Sequence, residues 1–269
     1  MPKNNLWKRI NSIGGWISYE DFLVFSTLLS YQNQMNVTGD LLEIGVFQGK
    51  TSVLMGYFLS QKQSFHACDI FDIRPSETRN AKEFDLSYGK GVSQANFLRN
   101  YKSFHSKDPI VHACESKVLA SSVGSNKFRL IHIDGSHLYE NVILDSNLSL
   151  ELLVESDSLL IFDDFRQPHA IGVMVCVSNL VLSGRIEPLL FSRDKAYFVM
   201  NPRKITPDKL YTELTSIGLK CVFDEVGPKK FLRLIDSKVS IPRDWKKFLI
   251  SLTPPILLQT LRKVKQKVR

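Results

Sequence analysis

Two apolar runs of this sequence end in acids. One is Arg129-Leu130-Ile131-His132-Ile133-Asp134-Gly135-Ser136-His137, and the other is Leu159-Leu160-Ile161-Phe162-Asp163-Asp164. If the two runs are neighbouring strands, Asp134, Asp163 and Asp164 converge at one edge of a sheet. There they repel one another unless protons or a cation intervene. Hard oxygen donors suit Mg²⁺ best, with Mn²⁺ or Ca²⁺ next. Any one of these acids alone would more often cap a helix or stay solvated; the three together carry the metal expectation. His137 lies beyond a turning glycine and can face the same place. His132, flanked by apolar residues, reads as packed core. His169 is a weaker candidate, and His66, His105 and His112 have no evident partner.

A second constellation is Leu41-Leu42-Glu43-Ile44-Gly45-Val46-Phe47-Gln48-Gly49-Lys50-Thr51, which reads as strand, glycine-bearing loop and helix start. Open parallel sheets bind ligands at the carboxyl ends of their strands, near the switch point in strand order. A tight turn without a ligand is the plain alternative. The run also approaches a phosphate-binding loop, but that pattern needs four residues between its glycines, and here only Val46, Phe47 and Gln48 intervene. Glu43 would repel a triphosphate and suit a cationic sulfonium or ammonium. The next strand ends in Asp69, with Asp72 close behind. An acid there can take the hydroxyls of a nucleoside ribose, or simply cap a turn.

The elements that must position these residues alternate. Strand-like runs at 40–46, 64–69, 109–113, 128–134 and 158–162 are separated by helical stretches at 51–61, 93–101, 116–121 and 138–153. That alternation predicts a doubly wound α/β fold with a mostly parallel sheet. A helix at 170–182 and strands at 187–192 and 196–200 follow. The short turn Arg193-Asp194-Lys195 makes the last two an antiparallel hairpin, for seven strands in all. The chain divides into a helical lead-in (1–36), the ligand-binding domain (37–202), a small α+β extension (203–240) and a basic tail (241–269). The polar segment 72–91 reads equally as a lid or a solvated loop.

These motifs resemble class I S-adenosylmethionine-dependent methyltransferases, closest to the macrocin and mycinamicin sugar O-methyltransferases and the cephalosporin-hydroxylase-like group. The resemblance spans roughly 40–200. It rests on Glu43 to Gly49, on Ile133-Asp134-Gly135-Ser136-His137-Leu138-Tyr139, and on the Asp163-Asp164 pair. It implies a cofactor site at Glu43, Gly45, Phe47, Gly49, Thr51 and Ser52, with Asp69 or Asp72 on the ribose. It further implies Mg²⁺ at Asp134, Asp163 and Asp164, and His137 as general base. Asp163 departs from the family's frequent Glu.

The expected activity is thus metal-dependent transfer of a methyl group from S-adenosylmethionine to a hydroxyl of a sugar or similar polyol. Chelation lowers the pKa of the hydroxyl and a histidine takes its proton. A P-loop-like NTPase or kinase and a non-catalytic adenosine-ligand binding protein stand as alternatives. Of the 269 residues, the tail from 241 onward holds eight basic residues against Asp244, so the net charge of +8 belongs almost wholly to it. The nearly neutral body argues against a nucleic-acid partner. Leu257, Leu261, Val264 and Val268 recur at helical spacing among the tail's basic residues, a pattern suited to peripheral contact with an anionic membrane. Four spaced cysteines without a C-x-x-C pair suit a reducing cytoplasm, including its inner membrane surface. A homo-oligomer is compatible with this reading.

Overall fold

The computed structural model describes residues 3–87, 93–123 and 127–235. Helices α1 (Lys3–Ile10) and α2 (Tyr19–Gln34) lead in. Then come β1 (Asp40–Ile44), α3 (Lys50–Gly56), β2 (Phe65–Asp69), α4 (Thr78–Ser87), α5 (Gln94–Lys102), β3 (Ile110–Ala113), a 3₁₀ turn at Ser116–Val118 and α6 (Ala120–Val123). After these run β4 (Phe128–Ile133), α7 (Tyr139–Leu152), β5 (Leu159–Phe162), α8 (Ile171–Ser183), β6 (Glu187–Phe191), β7 (Ala196–Val199), α9 (Pro207–Ser216), β8 (Cys221–Val226) and β9 (Lys229–Leu234).

The sheet order is β3-β2-β1-β4-β5-β7-β6-β9-β8. The five strands β3 to β5 of that order pair in parallel, and β7 pairs antiparallel with both β5 and β6. The doubly wound arrangement and the antiparallel hairpin therefore stand as the sequence predicts, but among the described residues the sheet has nine strands, not seven. The extension supplies the other two. β9 pairs parallel with β6, Leu190 facing Leu232, and β8 closes the edge antiparallel to β9. Alternation along β9 is weak because charges decorate its solvent side, while Phe231, Leu232 and Leu234 are buried.

Side-chain alternation explains why both faces are covered. On β5, Leu159 and Ile161 pack with the cluster under α2 and α3, while Leu160 and Phe162 pack with the cluster under α7 and α8. Successive side chains point to opposite faces of a strand. On β1 and β4 the same alternation sends Glu43 and His132 to the α2 face, where they are register partners. α2 begins at Ser18, whose Oγ accepts the Asp21 amide at 2.9 Å and donates to Asp21 Oδ2 at 2.7 Å. Its interior is almost entirely buried.

The segment 72–91, read from sequence as loop or lid, forms helix α4 over Thr78–Ser87. Its Glu83 accepts the Ser136 hydroxyl at 2.6 Å and the His137 amide at 2.5 Å, so this helix is tied to the end of β4. The amphipathic basic tail lies outside the described residues. Among the described residues no helix is long and apolar enough to cross a membrane, and all four cysteines are free thiols.

Candidate active site

The switch in strand order falls between β1 and β4, and two cavities open beside it at the carboxyl ends of the strands. The glycine loop separates them. Gly45 has φ +84°, and a Cβ there would lie 2.1 Å from the Asp134 carbonyl oxygen. Its smallness therefore lets the ends of β1 and β4 approach each other closely. Gly49 has φ +87° and backs onto Phe97. Phe47 also holds a left-handed φ of +48° and stacks on Trp16, which is 73% exposed.

The smaller cavity, about 150 Å³, runs over Gly45, Asp69, Ser116, Gly135 and Ser136, beneath α4. Both Asp69 oxygens serve the loop: Oδ2 accepts the amides of Val46 (2.8 Å) and Phe47 (3.1 Å), and Oδ1 accepts that of Phe71 (2.7 Å). Burial raises its pKa against those three amides. Each carboxylate oxygen can accept more than one bond, so Asp69 keeps capacity for a ligand hydroxyl. Asp72 is exposed, accepts the Gln94 amide at 3.4 Å, and lines neither cavity.

The larger cavity, about 740 Å³, has Glu43, Phe47, Lys50, Thr51, Asp134, His137, Asp163 and Asp164 in its wall. Lys50 Nζ donates to the Gly15 carbonyl at 2.6 Å, pinning the residues before α2 over the loop. That use of the lysine, together with the short glycine spacing, removes the phosphate-loop reading. Ser52 is buried and donates its hydroxyl to Glu43 Oε2.

Burial and charge sort the acids into two groups. Glu43 pairs with His132 Nδ1 at 2.9 Å in the interior, where burial pushes the carboxyl to about 8. Burial, with Lys195 nearby, drives His132 well below its ordinary pKa, so this packed core histidine is neutral. Burial and the neighbouring Asp163 hold Asp134 well above the carboxylate range. Closer to the opening, His137 Nε2 is 3.2 Å from Asp164 Oδ2, and His169 Nε2 is 3.6 Å from the same oxygen. Burial alone would depress His137 and elevate Asp164, but their mutual attraction wins: the imidazole pKa is raised and the carboxyl lowered. Asp164 has a positive φ of 54°, a conformation disfavoured for a residue with a Cβ.

The three acids expected to bind a metal are not gathered as one donor set. Among the described residues, two groups bring their donor atoms within 4.8 Å of one another: Glu43 with His132 and Asp134, and His137 with Asp164 and His169. Asp163 belongs to neither. Its Oδ2 is paired with Lys195 Nζ and its Oδ1 accepts the Asp164 amide at 2.8 Å. Lys195 is only 1% exposed; burial opposes its charge, yet Asp163 and Asp134 hold the ammonium pKa above its ordinary range. Removing one partner of such a buried pair costs about 3–5 kcal/mol. Sequence reasoning missed Lys195 as a site residue. The signal was the hairpin: in the antiparallel register Phe162 faces Ala196, so the next step outward sets Asp163 opposite Lys195.

Residues 42–165 match the model of a family described as a methyltransferase domain. No curated protein sequence matches the chain. Among solved structures, the fold is similar to the O-methyltransferase NovP, with a TM-score of 0.58 and 18% identity over 69% of this chain and 81% of that one. It is less similar to CalS11, a TDP-rhamnose 3′-O-methyltransferase of calicheamicin biosynthesis (0.45, 17%, 73% and 92%). An O-methyltransferase from Bacillus cereus in complex with SAH gives 0.45 and 14%, over 73% and 90%. Residues 42–165 thus match a methyltransferase domain, and the sheet that carries them has the fold of NovP.

Proposed function

We propose that the protein transfers a methyl group from S-adenosylmethionine to a hydroxyl oxygen of a sugar or similar polyol. The observation that carries this reading is the His137–Asp164 pair in the wall of the larger cavity, directly across the β1–β4 switch point from the smaller one. The smaller cavity suits an adenosine group, with Asp69 on the ribose and the Gly135–Ser136 backbone along its floor. The methionine end would then cross the glycine loop towards Glu43 and Asp134.

The bound cofactor supplies an activated methyl on a sulfonium. The protein's own task is to align the acceptor and remove its proton. A hydroxyl seated beside His137 gives its proton to the neutral imidazole at Nδ1, the nitrogen that does not face Asp164, and Asp164, 3.2 Å from Nε2, stabilises the imidazolium so formed. The oxygen–carbon bond forms as the carbon–sulfur bond breaks, and the proton stays on His137 until solvent removes it. Glu83, bonded to the His137 amide, fixes the residue from the other side. Trp16, exposed at the rim of the larger cavity, offers an aromatic face of the kind that sugar rings stack on. NovP, to which the fold is similar, is described as an O-methyltransferase, and oxygen is the acceptor that a histidine base would serve. The Mg²⁺ expected from sequence is not carried into this reading, because the donor set around Asp163 does not fit it.

The test is calorimetry with S-adenosylhomocysteine and with ATP, followed by transfer of labelled methyl to a panel of nucleotide sugars and free diols. Binding of S-adenosylhomocysteine and labelling of a diol-bearing acceptor are expected. Binding of ATP without S-adenosylhomocysteine would sink the proposal.

A further inference from the structure

The hairpin between β6 and β7 places a lysine ammonium inside the acidic cluster, and nothing in the methyl-transfer scheme above uses it. We propose that Lys195 is the resident cation of this cluster, standing where a divalent ion would sit, so that the site works without a metal. The inference rests on the methyltransferase reading.

The backbone at this point is fixed. Ser192 Oγ accepts the Lys195 amide at 2.9 Å, and the Ser192 amide donates to the Lys195 carbonyl at 2.9 Å. The antiparallel pairing of β5 with β7 sets Lys195 opposite Asp163. Its Nζ meets Asp163 Oδ2 and lies 3.5 Å from His132 Nε2, in a position sealed from solvent. Asp163 therefore has one oxygen on an ammonium and the other on a backbone amide. A divalent ion bridging Asp134, Asp163 and Asp164 would have to displace a cation tethered to the same chain. Mg²⁺ also dehydrates reluctantly and needs near-octahedral oxygen geometry. The cation already present has no dehydration left to undergo. Its place at the base of the cavity supplies the positive potential that a metal would otherwise bring to the acceptor oxygen.

The probe is Mn²⁺ alone, followed by electron paramagnetic resonance on the full-length protein with and without saturating S-adenosylhomocysteine. The wild type is expected to leave Mn²⁺ free in solution. Lys195→Met, which keeps the length of the side chain and removes its charge, is expected to gain bound Mn²⁺, and Lys195→Met/Asp163→Asn to lose it again. Stoichiometric Mn²⁺ binding by the wild type that Asp134→Asn or Asp163→Asn abolishes would overturn the proposal. So would a folded Lys195→Met that binds none. If that variant does not fold, the wild-type titration alone decides. Calorimetry with S-adenosylhomocysteine separates the two readings: wild type that fails to bind it counts against the methyltransferase function, whereas the Mn²⁺ signal reports on Lys195.

Discussion

Two acid–histidine pairs sit a few residues apart in this fold and behave in opposite ways. Glu43 and His132 face each other across β1 and β4 at 2.9 Å, fully buried. Asp164 and His137 meet at 3.2 Å beyond the ends of β5 and β4, with Asp164 partly open to the cavity. The chemistry of the partners is nearly the same, and the distance favours the first pair. Desolvation nevertheless leaves that pair uncharged, with the acid protonated and the histidine neutral. In the second pair attraction outweighs the smaller burial penalty, so both partners move towards charge. Proximity alone does not make a catalytic dyad; the half-buried pair in the cavity wall can exchange protons with a substrate, while the buried pair holds two strands in register.

Breaking the outer pair carries the largest effect. His137→Ala should slow methyl transfer to the acceptor found in the panel by about 10²–10⁴-fold, the usual share of a general base. Affinity for S-adenosylhomocysteine should not change, because Glu83 holds residue 137 through its backbone amide. Rate and calorimetry measured on the same preparation check this. A variant with wild-type rate would show that the proton goes elsewhere.

Asp164→Asn sharpens the comparison with a smaller effect. Transfer requires neutral His137, so the rate rises with pH through the imidazole pKa, which Asp164 keeps raised. Removing that charge should move the acid limb of the pH–rate profile to lower pH. The stability side has its own sign. The raised His137 pKa gives stability present below its ordinary value and lost as pH rises through the folded one. The lowered Asp164 pKa gives stability lost as pH falls through its own. The pair therefore stabilises most between those two pKa values, and thermal melts of wild type and Asp164→Asn should diverge there and converge outside it.

The sequence makes some of this legible and hides the rest for physical reasons. The runs ending at Ile44, Asp69, Ile133 and Phe162 announce a parallel sheet because apolar residues dominate each, as strands buried on both faces require, even with Glu43, His66 and His132 among them. Glu43, Asp134, His137, Asp163 and Asp164 do line one cavity. α4 was hidden because its composition is polar and its anchors Glu83 and Asn80 bond to residues more than fifty positions away. β9 was hidden because Lys229, Lys230 and Arg233 interrupt its apolar residues, although Phe231 packs on one face and Leu232 and Leu234 on the other. Lys195 was hidden because a turn lysine is ordinarily solvated; only the register of β5 with β7 turns it inward. Asp69 and Gly45 were found for a ligand role, yet much of their observed bonding serves the loop and the approach of strands.

The smallest expected change in turnover comes from the inner pair, and it is the change that tests the comparison most directly. With its carboxyl pushed to about 8, Glu43 is mostly protonated at neutral pH in the folded protein. Glu43→Gln keeps the shape, an acceptor towards one partner and a donor towards the other, and a neutral group. Transfer rate at neutral pH should therefore stay close to wild type. Stability should part from wild type with pH, and the direction is fixed. The unfolded chain releases this proton near the ordinary value of 4.5, whereas the folded chain keeps it to about 8. Between those values the folded state binds the extra proton, so wild type loses stability as pH rises. Above about 8 the folded carboxyl ionises too, and the loss levels off. Glu43→Gln has no such titration. Its melting temperature, measured from about pH 5 to about pH 9, should gain steadily on that of wild type and then run parallel to it. A constant difference across that range would mean that Glu43 is ionised inside the protein, its charge held by Lys195, and that both acid–histidine pairs carry charge after all.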